Sequence, residues 1–375
     1  MSESILRKES IQETQTVTFV LDGSADFKEL GRLDFSKYQK AIVFCDKALE
    51  SSWWPLLKNI LKDRIPMASV EFLEASEETK NLESYVRLAN LLGQLRCSRD
   101  DLLIAVGGGT ILDAISYLAS TYMRVVPLMM IPTTLIGQAD ASTAGKTCIN
   151  TEYAKNVLGT LYLPVYVYNN VSLLHTNSPY HQRQGFSEIF KYALLGSRRL
   201  LGLLQDYKKS PTDPLMMEIL GETIDVRLSL RRRDPLASNF GHTFGHALEK
   251  ISNFGVNHGD AISVGMVMAM ELSVQNKIIS PALRDEIVSL MEHLGLNTKV
   301  DASVDPDKLT QLMLTDKKSS NTSVRFVLIQ DIAKPLETDG KPFYPVEPPV
   351  VAAFLKTFMK NSKYVQAQHW AALKG

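Results

Sequence analysis

The chain has 375 residues, 45% hydrophobic and 22% charged, with 41 basic residues balanced by 41 acidic ones. That length and composition predict a soluble globular protein of two domains, and zero net charge excludes the overall basic excess of a nucleic-acid binder. Cys45, Cys97 and Cys148 lie far apart with no CxxC pair, which excludes a disulfide framework and a cysteine-based zinc site and makes a reducing cytoplasm the expected location.

The polar start, Met-Ser-Glu-Ser-Ile-Leu-Arg-Lys-Glu, is not that of a signal peptide. Short β-rich pieces follow, such as Thr16–Leu21. The apolar run Lys40–Cys45, ending at Asp46, reads as a strand, and a helical pattern continues through Leu57 and Ile60. Met67–Leu73 reads as a second strand and Leu82–Leu95 as an amphipathic helix. Asp101–Val106 is a third strand, running straight into Gly107-Gly-Gly109; Ile111–Met123 then reads as a helix and Val126–Ile131 as a strand. This alternation predicts a parallel sheet with helices on its faces. The most apolar run, Val125–Ile136, is broken by Pro127 and Pro132 and is too short to span a bilayer, so no membrane partner is expected.

After Tyr168 the pattern changes. Glu188–Leu204, Leu215–Arg231, Thr243–Ser252, Ile262–Gln275 and Pro281–Leu294 carry helical apolar spacing with few strand signals. The second half is therefore read as mostly α-helical, with the boundary placed at residue 170: a first domain over 1–170 and a second over 171–375. Val324–Ile329 reads as one late strand, Pro335–Pro349 as a surface connection and Val350–Lys360 as a last helix.

Gly107-Gly-Gly-Thr-Ile-Leu-Asp113 sits where a strand meets a helix. Glycines there let backbone N–H groups approach a ligand, and a helix N-terminus favours phosphate, although a plain tight turn would use the same residues. Asp46, at the end of an earlier strand, stands where an acid can bond a ribose hydroxyl or simply cap a helix. A dense polar segment, Gln138–Thr147, follows the strand before Pro132; with Lys146, Lys155 and Asn156 it suits an anionic, phosphorylated ligand, or else a solvated loop.

Further along, Asn239-Phe-Gly-His-Thr-Phe-Gly-His246 holds two of the seven histidines, His242 and His246, four residues apart and so on one helix face. His258 follows in Asn257-His-Gly-Asp260. Three histidines flanked by glycine read as a metal or proton-transfer site, or as interior histidines. Glu188 and Lys191 face the same way on a helix, among Phe186, Ile189, Phe190 and Tyr192, and buried charges need partners. A glutamate beside two histidines makes a zinc set that leaves one position open for substrate.

These motifs, taken together and in this order, with Asp140 and Asp316-Lys-Lys318, resemble the 3-dehydroquinate synthase family of sugar phosphate cyclases over about residues 40–335. The resemblance implies an α/β fold: a Rossmann-like N-terminal NAD-binding domain and a mostly α-helical C-terminal metal-binding domain, acting as a homodimer on a small-molecule sugar phosphate. It implies Glu188, His242 and His258 as metal ligands, to zinc or alternatively cobalt. Asp46, Glu77, Lys80, Gly107, Gly108, Gly109, Asp113, Thr133, Thr134, Asp140 and Lys155 would hold NAD. Arg124 would reach across the dimer interface; Asp140, Lys146, Asn156, Lys191, Arg227, Asn239, His246 and Lys317 or Lys318 would bind or act on substrate, with His246 moving protons and Lys146 and Asn156 at the phosphate end. The implied reaction, in aromatic amino-acid biosynthesis, converts 3-deoxy-D-arabino-heptulosonate 7-phosphate to 3-dehydroquinate and phosphate through oxidation by NAD, phosphate elimination, reduction and an intramolecular aldol step.

The chain departs from the family pattern just before Asn239. The segment Val226–Ser238 is about six residues short, Pro235 stands where the family has an arginine, and Arg227 replaces a lysine. Arg231, Arg232 and Arg233 are the candidates to compensate. Leu112, Ala144 and Asp260 are smaller departures, and none removes a metal ligand. The competing readings are a sister cyclase on another sugar phosphate (an amino-dehydroquinate synthase or a secondary-metabolism cyclase), a metal- and NAD-dependent alcohol or glycerol-phosphate dehydrogenase, and a paralogue that only binds NAD and metal. Asn239 argues against the 2-deoxy-scyllo-inosose branch and His246 against the valiolone branch, while Glu188-x-x-Lys191 and Asp316-Lys-Lys318 favour a cyclase over a dehydrogenase.

Overall fold

A computed structural model of the chain describes residues 16–153, 155–210, 213–234, 236–253, 255–314 and 323–367. Six strands form one sheet, all in parallel pairs: β1 (Thr18–Asp22), β2 (Ala41–Asp46), β3 (Met67–Leu73), β4 (Leu102–Gly107), β5 (Leu128–Pro132) and, beyond an antiparallel hairpin of β6 (Lys146–Ile149) and β7 (Leu158–Leu161), β8 (Tyr166–Asn170). Their order is β1-β8-β5-β4-β2-β3. The central strands are near-continuous apolar runs because helices cover both faces. Side chains alternate across β2: Val43 and Cys45 pack with Leu57 and Leu61 of α1 (Trp54–Lys62). Ile42 and Phe44 pack on the other face with Leu88 and Leu92 of α2 (Leu82–Gln94) and Ile111 and Ile115 of α3 (Gly109–Thr121).

The chain runs from β2 out to the edge strand β3, then crosses back to place β4 on the other side of β2. The carboxyl ends of β2 and β4 therefore flank a switch point, where open α/β sheets hold their ligands. Asp46 ends one strand and Gly107 the other.

A short helix α4 (Leu135–Ala139), capped by Thr134, leads out of the sheet region. The rest is mostly helical: α5 (Pro179–Gly196), α6 (Arg198–Asp206), α7 (Leu215–Arg233), α8 (His242–Ile251), α9 (His258–Gln275), α10 (Pro281–His293), α11 (Pro306–Leu314) and α12 (Pro348–Asn361). Much of α5 and most of α9 are buried, and they cross at a hydrogen bond from the Ser263 hydroxyl to the Ser187 hydroxyl (2.9 Å).

Several elements differ from the sequence expectation. The helix expected over Glu188–Leu204 starts earlier, at Pro179, and is two helices, because Ser197 turns extended and caps α6 through the Leu200 N–H. The hairpin β6–β7 stands where a polar loop was expected. The late strand is split into Val324–Phe326 and Ile329–Asp331, and Tyr344–Val346 pairs with the first of these inside the expected connection.

The sheet edge is fixed by a buried polar contact. The Tyr168 hydroxyl donates to Asp22 Oδ2 (2.6 Å), and Ser24 donates to Oδ1 through its backbone N–H and hydroxyl. Burial pushes the Asp22 carboxyl up, but these hydrogen bonds outweigh it and hold its pKa below the ordinary 3.8. A depressed carboxyl pKa stabilises the fold above about pH 4, and that contribution fades as pH falls through the folded value. Tyr168→Phe is therefore expected to cost about 1.5–3 kcal/mol at neutral pH. The penalty should shrink below about pH 4, read from urea midpoints at each pH; a pH-independent difference would contradict the assignment.

Candidate active site

Helices α5, α8 and α9 bring Glu188, His242 and His258 together. Glu188 is fully buried. Its Oε2 takes a short contact from Lys191 Nζ, while Oε1 makes no satisfactory hydrogen bond. That Oε1 lies 3.2 Å from His258 Nε2 and 3.7 Å from His242 Nε2. Ligands at about 2.1 Å around a tetrahedral ion stand about 3.4 Å apart, so these three atoms are spaced as a zinc set. The far side of each ring agrees: His242 Nδ1 lies 3.1 Å from the Phe240 carbonyl and His258 Nδ1 lies 3.4 Å from Glu249 Oε2. Such partners fix the tautomer that turns Nε2 toward a metal. Burial alone would lower the His258 imidazole, but Glu249 and Glu188 more than offset it and push it up to about 10. Carboxylates on both sides of the ring favour a cation there. An orphaned buried oxygen facing two imidazole nitrogens fits a divalent metal.

His246, one turn along α8, points into the same space, its ring 5.3 Å from that of His242. With Glu249 and His258 it forms a second, overlapping group of ligand atoms. Asn239 ends the turn before α8; its side chain donates to the Leu236 carbonyl at 2.7 Å and its own carbonyl accepts from the His242 N–H.

A second layer of charge lies beside this group. Asp140, at the end of α4, accepts a short hydrogen bond from the Tyr192 hydroxyl and pairs with Arg227 Nε at 3.1 Å. Burial raises the Asp140 carboxyl, but Arg227, Lys191 and the Tyr192 hydroxyl prevail and hold it well below the usual range. Lys191 Nζ sits 4.2 Å from the Tyr192 ring centre. Lys146, at the start of β6, lines a cavity with Arg227; desolvation of its ammonium, then repulsion from Arg227, lowers its pKa.

At the switch point, a Cβ on Gly107 would lie 2.9 Å from the Ile111 side chain and 3.3 Å from Asp46 Cβ, and one on Gly108 would lie 3.1 Å from Thr134. A side chain at either position would crowd these neighbours. Gly108 caps α3 and Gly109 opens it, so the helix N-terminus points at that space. Thr133 donates its N–H to the Gly107 carbonyl. Asp46 does cap a turn, accepting from the Ala48 N–H at 3.0 Å. Lys80, almost fully buried, donates to Asp113 Oδ2 (2.8 Å) and Asn156 Oδ1 (2.7 Å). Asn150 donates to Glu77 Oε2 (2.7 Å), which Lys155 approaches to 3.9 Å. Asn156 thus belongs with Lys80 and Asp113, and Lys146 with Arg227. Arg124 is exposed in a tight turn, between Met123 and Val125, with φ positive at all three. Lys317 and Lys318 lie outside the described residues, as does Pro235.

The residues that sequence reasoning left without a role are Tyr192, Glu249, Asn150 and Cys148, whose thiol lies 3.3 Å from Asp113 Oδ2 and 3.1 Å from Asn156 Oδ1. Tyr192 was legible only as an apolar neighbour of Lys191. Glu249 falls three residues after His246, which places it on the histidine face. Asn150 and Cys148 depend on the hairpin and carried no signal in the chain order.

The chain is similar to known proteins over most of its length. Residues 70–184 match the model for the 3-dehydroquinate synthase N-terminal domain and residues 185–319 that for the C-terminal domain. A 3-dehydroquinate synthase of Legionella pneumophila (strain Lens) is 36% identical over 322 residues, 82% of this chain and 85% of that protein. The 3-dehydroquinate synthase of Listeria innocua serovar 6a is 30% identical, covering 90% and 92%. Among solved structures, 2-deoxy-scyllo-inosose synthase with carbaglucose-6-phosphate, NAD+ and Co2+ superposes with a TM-score of 0.81 at 21% identity, over 91% of this chain and 96% of that one. The 2-epi-5-epi-valiolone synthase of Streptomyces hygroscopicus subsp. jinggangensis 5008, with NAD+ and Zn2+, gives 0.82 at 22%, over 95% and 99%. The fold is that of the sugar phosphate cyclases. The chain belongs to the 3-dehydroquinate synthase family.

Proposed function

We propose that the protein is a 3-dehydroquinate synthase, a lyase that converts 3-deoxy-D-arabino-heptulosonate 7-phosphate to 3-dehydroquinate and phosphate. The observation that carries this reading is the convergence of Glu188 Oε1 with His242 Nε2 and His258 Nε2, next to a glycine-lined switch point; the identity to named 3-dehydroquinate synthases supports it.

In this reading residues 1–170 form the cofactor domain and 171–375 the metal and substrate domain. Glu188, His242 and His258 hold the metal. Asp46, Glu77, Lys80, Gly107, Gly108, Gly109, Asp113, Thr133, Thr134, Asp140 and Lys155 line the NAD site. When bound, NAD+ accepts and later returns a hydride while the divalent metal polarises the adjacent substrate oxygens. His246 takes and returns the proton of the oxidised hydroxyl. Lys191, tied to Glu188, presents its ammonium to substrate oxygens. Lys146 and Asn156 take the phosphate end, Asn156 through its Nδ2, since its Oδ1 accepts from Lys80. Asn239 and Arg227 complete the substrate pocket. The protein works as a homodimer in which Arg124 reaches the partner's site. No helix among the described residues is long and apolar enough to cross a membrane.

Incubated with NAD+, Zn2+ and the heptulosonate phosphate, the protein is expected to release one phosphate per turnover with no net absorbance of NADH. Release only from a different sugar phosphate would make it a sister cyclase, and steady NADH accumulation would make it a dehydrogenase.

A further inference from the structure

The end of α7 carries arginines whose surroundings differ. Arg233 is paired with Glu337 and Arg232 is exposed. Arg231 turns the other way. It stands four residues after Arg227, on the same helix face, and its guanidinium lies directly over Gly145, where a Cβ would collide with it. Gly145 also has φ +61, so its backbone conformation favours glycine, and the arginine occupies the space a side chain there would take. Ala144, Gly145, Lys146, Leu161, Arg227 and Arg231 line a cavity of about 80 Å3.

Every charged residue on that lining is a cation. Arg227 is compensated by Asp140 at 3.1 Å. Among the described residues neither Lys146 nor Arg231 has an ion pair or a side-chain hydrogen bond. Burial, then repulsion from Arg227, disfavours the charged form of Arg231, so an arriving anion relieves a standing repulsion. A cavity of that size has room for an oxyanionic head. The guanidinium fork matches the paired oxygens of a carboxylate or phosphoryl group. The chain Arg227–Asp140–Tyr192 ties the cavity to the metal group, since Lys191 beside Tyr192 holds Glu188.

We propose that Arg231 is a specificity-determining residue that, with Lys146 and Arg227, receives an oxyanionic group of the substrate in this cavity. The inference rests on the cyclase reading for the identity of the substrate, and on the cavity alone for the oxyanion.

The test uses the full chain loaded with NAD+ and Zn2+, titrated by calorimetry with three probes. These are the phosphonate analogue of the heptulosonate phosphate, the same analogue with its carboxylate replaced by hydroxymethyl, and inorganic phosphate. Arg231→Ala is expected to weaken at least one probe by about 10- to 100-fold, Arg231→Lys by less, with zinc content and NAD+ affinity unchanged in both. A loss confined to the carboxylate-bearing analogue assigns the cavity to the carboxylate; an equal loss with both analogues assigns it to the phosphoryl end. If wild type binds phosphate, Arg231→Ala weakens it and neither analogue binds at all, the cyclase reading falls and the oxyanion cavity stands. A change under about twofold for every probe, or a parallel loss of zinc or NAD+, overturns the proposal.

Discussion

Glu188→Gln and His242→Ala are each expected to lose tightly bound metal and to lower phosphate release by about 10³-fold, whereas His246→Ala keeps its metal. The magnitude follows from a Lewis acid worth several kcal/mol at about 1.4 kcal/mol per tenfold in rate. The contrast matters because two overlapping groups of donors are present, Glu188 with His242 and His258, and His246 with Glu249 and His258. His258 is common to both and cannot tell them apart. The geometry favours the first group, since Glu188 Oε1 is buried without a satisfactory hydrogen bond and faces two Nε2 atoms, while Glu249 approaches the opposite nitrogen of His258. Metal content by mass spectrometry decides the point: stoichiometric zinc in Glu188→Gln together with its loss in His246→Ala would transfer the site to the second group.

Lys80→Met is expected to lower stability by about 3 kcal/mol and NAD+ affinity by about tenfold or more. Lys80 is almost wholly buried and spans Asp113 and Asn156. Removing one partner of a buried pair leaves the other charge uncompensated, at a cost of about 3–5 kcal/mol; the 23% exposure of the Asp113 side chain sets the lower end. The proposed place of Lys80 in the NAD site, with loss of one charge-assisted hydrogen bond there, sets the expected change in affinity. Lys80→Met/Asp113→Asn should regain part of the stability, and the double-mutant cycle isolates the pair. Additive single effects in denaturant melts would show that the two side chains do not depend on each other.

The sheet was readable from the chain because its strands are buried on both sides. Runs such as Ala41–Cys45 and Leu102–Val106 are continuously apolar and end at Asp46 and Gly107, so pattern and function coincide there. Glu188 was readable because a charge among Phe186, Ile189 and Phe190 has no solvent to face. The hairpin was not readable. Lys146, Thr147 and Cys148 make little hydrophobic alternation, and their partners Leu161, Thr160 and Gly159 lie in a four-residue strand too short to show a period. Nor could spacing decide among Arg231, Arg232 and Arg233. Their difference is a rotation about α7 of about 100° per residue, and it became visible only when Gly145 was found beneath Arg231. The helix break at Gly196-Ser197 was present as a glycine followed by a capping residue, but the apolar period of Leu200, Leu201 and Leu204 ran through it and dominated.

The pairing of β1 with β8 has a consequence for how the molecule is made. Tyr168 and Asp22, which lock that edge, are 146 positions apart, so the first strand to leave the ribosome has no sheet to join until β8 has emerged. Contacts of that sequence separation form late because the intervening loop must close first. Until then β8 presents an open strand edge, and β1 is an unpaired apolar tail. β1 also touches α7 through Leu21 and Gly221, so its docking joins the finished sheet to a helix synthesised later still. Of the six strands of the sheet, β1 is translated before the others and is expected to be among the last to acquire protection from hydrogen exchange during refolding.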